Sequence, residues 1–158
     1  MDPNSKYSDG SWYYSGDAFE AFLIGKGLKL RTRNDPAHAP FGNYYVEYFN
    51  ADIRIHIVSD RGHWSVGITD VFGAAIGHWY GVCAIRQLLM PGSSDHISFI
   101  ESKEFVMANW QAIADHFSPH RCEETTRKLD EKTIVLNKRL MQALRQRRKP
   151  DAGPDSDA

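Results

Sequence analysis

A chain of 158 residues, 42% hydrophobic and 25% charged, is long enough to bury one core without disulfides or metal, and its ordinary composition excludes global disorder. The formal charge of −1 excludes an overall cationic drive toward nucleic acid, yet the charge is uneven. Residues 1–137 hold 13 Lys and Arg against 17 Asp and Glu, whereas residues 138–149 hold six basic residues and no acid.

Residues 1–14 mix polar side chains with Trp12, Tyr13 and Tyr14, a cluster expected to dock on the body. The start Met1-Asp2-Pro3-Asn4-Ser5 lacks the pattern of a signal peptide, so no export is expected. Asp17 opens a helical pattern with Phe19, Phe22, Leu23 and Lys26 on one face, stopped by Gly25 and Gly27. Residues 33–40, with Pro36 and Pro40, read as a loop.

Three runs, 44–49, 53–58 and 63–68, are rich in β-branched and aromatic residues and predict an antiparallel meander. A two-residue turn at Asn50-Ala51 pairs Tyr48 with Ile53, Val46 with Ile55 and Tyr44 with Ile57. A four-residue loop from Ser59 to Gly62 then pairs Val58 with His63 and keeps Trp64, Val66 and Ile68 on the same apolar face, with Gly62 in a left-handed conformation. The opposite face becomes polar and solvated, with Tyr45 opposite His56, Glu47 opposite Arg54, and His56 facing Ser65.

The uncharged run 71–85 is too short and too glycine-broken to span a bilayer, so no membrane insertion is expected. Residues 79–90 predict a helix through Val82, Ile85, Leu88 and Leu89, ended by Pro91-Gly92. Ser102 is the expected cap of a helix whose core stripe is Val106, Trp110, Ile113 and Phe117. Ser118-Pro119 breaks that pattern and starts a long last helix, acidic at its start and basic at its end, with Leu129, Thr133, Leu136, Leu140 and Leu144 as its buried stripe. From Lys149 onward the composition is that of a disordered tail. The expectation is one α+β domain over 1–149, an antiparallel meander with one face covered by helices, followed by a tail at 150–158.

Motifs for chemistry are sparse. His116 and His120 stand at i, i+4, but Pro119 lies between them and no acid or cysteine completes a zinc spacing, so no metal and no cofactor are expected. Cys83 and Cys122 have neither the close spacing of a disulfide framework nor a catalytic context, and they point to a reducing, cytoplasmic setting. Tyr45, Glu47, Arg54, His56, His63 and Ser65 gather on the polar sheet face. An open face suits recognition of a partner better than acid/base catalysis, which needs an enclosed pocket, and no catalytic residue is assigned. Two alternatives stay open: a small enzyme using His56, His63 and acidic residues, and a nucleic-acid-binding accessory protein using 138–149, although cations at a helix C-terminus are favourable without any nucleic acid.

The meander Ile53-Arg54-Ile55-His56-Ile57-Val58-Ser59-Asp60-Arg61-Gly62-His63-Trp64-Ser65-Val66-Gly67-Ile68, followed by Phe105-Val106-Met107-Ala108-Asn109-Trp110-Gln111-Ala112-Ile113-Ala114-Asp115-His116-Phe117-Ser118, resembles small bacterial immunity proteins of contact-dependent growth-inhibition and polymorphic toxin systems. The resemblance implies a cytoplasmic, non-enzymatic protein that binds the C-terminal toxin domain of its cognate effector. It transfers a role and no residue set.

Overall fold

The computed structural model describes residues 18–34, 43–72 and 78–147. Trp12, Tyr13, Tyr14, the opening Asp17, most of the proline loop and the tail at 150–158 lie outside them. In chain order the elements are α1 (Ala18–Gly25), β1 (Lys29–Arg33), β2 (Tyr44–Phe49), β3 (Ile53–Asp60), β4 (His63–Asp70), β5 (Tyr80–Gly81), α2 (Val82–Leu89), α3 (Phe99–Ala108), α4 (Trp110–His116) and α5 (Cys122–Arg147). The strands form one antiparallel sheet in the order β1-β2-β3-β4-β5, an α+β architecture as expected.

Alternation puts Tyr44, Val46, Tyr48, Ile53, Ile55, Ile57, Val66 and Ile68 on one buried face. There they join Phe19 and Leu23 of α1, Ile85 of α2, Val106 of α3, Ile113 of α4 and Leu129 of α5 in a single core. Each such aliphatic side chain contributes about 1.5–3 kcal/mol by leaving water. Trp64, half-buried, bridges Tyr44 and Phe99 at the sheet rim, with ring centroids 5.4 and 5.6 Å away.

Both hairpin registers differ from expectation by two residues. Tyr48 pairs with Ile55, Val46 with Ile57 and Tyr44 with Ser59, because the first turn centres on Ala51-Asp52, one residue later than expected, and Asn50 N–H donates to the Ile53 carbonyl across it. Asn50 supplies the reason: its Oδ1 accepts from the backbone N–H groups of Asp52 and Ile53, both at 2.9 Å, an Asx turn that moves Asp52 from the ladder into the turn. In the second hairpin Asp60 pairs with His63 and Val58 with Ser65 across a two-residue turn, Arg61-Gly62. Positive φ at both residues, 50° and 82°, matches the twist of the flanking strands. A slip of two preserves facing, so the buried set survives while the opposing partners change.

Five further differences follow from local chemistry. β1 carries no apolar alternation, since it is an edge strand with only Arg33 partly buried, and its register shifts between Leu30 and Thr32. Residues 79–81 are not helical: Tyr80 and Gly81 pair with Ile68 and Gly67, and α2 starts at Val82. The cap of α3 is Ser98 rather than Ser102; its hydroxyl accepts from Glu101 N–H while the Glu101 carboxylate accepts from Ser98 N–H, a complete capping box. The stripe Val106, Trp110, Ile113 and Phe117 is buried as expected, although the helix is interrupted at Asn109. On α5, Leu129 is buried, but Leu140 and Leu144 are 58% and 44% exposed. The helix outruns the body that would cover its stripe.

Candidate functional site

Strands β2, β3, β4 and β5 set Glu47, His56, Gly67 and Gly81 in one cross-strand row on the face away from the core. The sequence reading makes this face solvated, and here the structure corrects it: Glu47 is 4% exposed. Its Oε1 accepts from Arg54 Nε at 2.7 Å and from an Arg31 guanidinium nitrogen at 3.1 Å, and its Oε2 accepts from the Tyr45 hydroxyl at 2.8 Å. The Glu47–Arg54 ion pair therefore forms as expected, but diagonally, because Arg54 stands opposite Phe49.

Trp79 closes the cluster. Its ring stacks on the His56 imidazole with centroids 3.8 Å apart, and the Arg54 guanidinium lies 5.0 Å from its centroid, a cation–π contact. Tyr45 meets His56 edge-on at 5.7 Å. Gly67 makes room, since the imidazole fills the space that a side chain there would occupy.

Charge and burial shift the titrations in opposite ways. Burial pushes the His56 imidazole down to about 4, outweighing the nearby Glu47 charge, and its buried Nδ1 finds no hydrogen-bond partner. Burial alone would raise Glu47, yet hydrogen bonds from Arg54 and Tyr45 and the charges of Arg54 and Arg31 hold its carboxyl below the usual range. Tyr45 is raised to about 12, by burial first and then by its bond to Glu47.

Of the six residues singled out from sequence, the structure thus unites Tyr45, Glu47, Arg54 and His56. Ser65 and His63 share the face but are exposed; Ser65 stands opposite Val58, and His63 at the hairpin end lies four residues along β4 from Gly67, about 13 Å by strand rise. His56 and His63 do not converge. The sequence reading missed Trp79, assigned to a helix, and Arg31, on a strand without alternation. Gly67 inside an apolar strand was the available signal of a close approach.

Elsewhere, His116 Nδ1 lies 3.2 Å from Thr125 Oγ1, His120 is exposed, and among the described residues no group of three His, Cys, Asp or Glu side chains is placed to hold a metal ion. Between α5 and the turn after α2 runs an open groove of about 390 Å³ edged by Gln87, Pro91, Asp95, Lys132 and Arg139. Arg139 donates to both carboxylate oxygens of Asp95, at 2.9 and 3.1 Å, fastening α5 to that turn. No described helix is long and apolar enough to cross a membrane.

Comparison with protein families, curated proteins and solved structures finds no match to the chain.

Proposed function

We propose that the chain is an immunity protein that binds the C-terminal toxin domain of a cognate bacterial effector and blocks its action. The sequence resemblance motivates the role, and its two segments fall on β3-β4 and on α3-α4, whose Val66, Ile68, Val106 and Ile113 share one core. The observation that carries a binding reading over a catalytic one is the engagement of Glu47. The carboxylate bonds Arg31, Arg54 and Tyr45 of its own fold, whereas a general base needs a free lone pair aimed at a substrate site.

In this reading the cluster is a rigid floor. Glu47 holds Tyr45 and Arg54 and Trp79 stacks on His56, while His63 and Ser65 offer exposed polar contacts farther along the same face. Complexes of this kind bury at least about 1,200 Å² in total. The test is co-expression with the C-terminal domain encoded directly upstream. Restored growth and a stable complex with that domain are expected; continued toxicity with no complex would remove the proposal.

A further inference from the structure

Antiparallel sheets that cover one face with helices ordinarily leave the other plainly polar. Here all five described helices pack on the core face, and the opposite face carries rings as well. One cross-strand row runs Lys29, Phe49, Arg54, Thr69 through successive pairings, and the residue before the Tyr80–Ile68 pair, Trp79, comes next to Thr69 at its end. Directly opposed residues share a face, so Lys29 and Phe49 stand on the same side as Arg54 and Trp79. Phe49 is 37% exposed and Trp79 is half-buried.

Aromatic and arginine side chains are the usual anchors of protein interfaces, and they bind best when already held in place. Trp79 is held by the His56 ring and by Arg54, and Arg54 by Glu47. Charge selects the occupant. At this end of the face the exposed charges are Lys29 and Arg31; Glu47 is buried in the network and Asp52, in the adjoining turn, is half-buried. A two-fold contact through this patch would bring Lys29 and Arg31 near their own copies. Two cations also neutralise too few phosphates to hold a nucleic-acid strand, whose affinity rests on many such contacts. A protein surface that presents carboxylates complements them.

We infer that Trp79 and Phe49, with Lys29 and Arg31 at the β1 margin, form the centre of the interface with the toxin domain, and that the domain meets them with an apolar spot bordered by carboxylates. The inference rests on the immunity reading and adds to it the place and chemistry of the contact. That place lies toward the other end of the sheet face from His63, which stands at the hairpin turn.

The experiment follows binding of the full-length chain to the upstream-encoded C-terminal domain, comparing F49T, K29E and H63A/S65A with the parent at several salt concentrations. Threonine keeps strand propensity, and unchanged far-ultraviolet circular dichroism shows that each variant is folded. F49T is expected to raise the dissociation constant by roughly tenfold or more, as loss of an anchor does, and H63A/S65A by much less. K29E is expected to slow association and flatten its dependence on salt, as reversal of a steering charge does. Because Lys29 is exposed, K29E reads the interface even where F49T lowers stability. Parent-like affinity in F49T, or parent-like association and salt dependence in K29E, would overturn this interface and leave the immunity role standing. Failure of the parent to bind at all would sink both. Binding of oligo(dT) that K29E and F49T abolish, with affinity for the domain untouched, would overturn the inference in favour of nucleic acid.

Discussion

The imidazole of His56 lies where a side chain at Gly67 would have to go: a Cβ built on Gly67 comes within 2.6 Å of His56 Cδ2 and closer still to Nε2. Because Trp79 stacks on the ring and Tyr45 abuts it, the imidazole has little freedom to yield. Gly67→Ala is therefore expected to cost about 1–3 kcal/mol, the usual range for overpacking. Denaturant titration of G67A, H56A and the double variant checks this. The double variant should lose less than the sum of the singles, and strict additivity would show that the ring moves aside.

Acid should loosen the same cluster. The unfolded chain takes up a proton on His56 near 6.5, whereas the folded chain does so only at about 4, so more protons bind to the unfolded state across that window. Stability is then full above pH 6.5 and falls as pH drops toward 4, with Glu47 adding to the fall once carboxylates protonate. Melting temperature measured from pH 7 to 4 should be flatter for His56→Phe, which cannot titrate. An unchanged slope would mean that other groups control the acid response.

Removing the carboxylate should be costly whatever the partner. Glu47→Ala leaves Arg54, only 15% exposed in its side chain, without its counter-charge and Tyr45 without its acceptor. A loss of about 3–5 kcal/mol is typical when one member of a buried pair is deleted, and the half-exposed Arg31 places this case toward the lower end. Thermal or urea unfolding of E47A reads the loss directly. A change under ~1 kcal/mol would show that solvent replaces the missing bonds.

At α3 two serines offer a contrast. Ser98→Ala removes a capping-box hydroxyl and should cost about 1 kcal/mol. Ser102→Ala removes only a hydroxyl that donates back to the Ser98 carbonyl within the helix, and should cost less. Urea midpoints of the two variants rank them. The reverse order would return the helix start to Ser102.

The buried side of the meander was legible because alternation alone decides which side chains point inward, and a register error of two leaves that decision intact. The partners were not legible, because they depend on turn lengths that Asn50 and Arg61-Gly62 set through backbone bonds and positive φ. On the outer face the same error mattered more. It moved Arg54 off Glu47 and hid the arrival of Trp79, a residue distant in sequence that reads equally well as the first turn of a helix. The α5 stripe was read as buried for a related reason: periodicity shows that a helix has an apolar side, and only the extent of the neighbouring layer shows where its cover ends.

The outermost strand, β1, presents Lys29, Arg31 and Arg33 within five residues and breaks its ladder between Leu30 and Thr32. Cationic rims and irregular pairing are how open sheets resist fusing with one another into fibrils. At the opposite margin β5 pairs through only two residues, too short a template to seed extension. Fusion of two sheets along the β1 margin is consequently disfavoured.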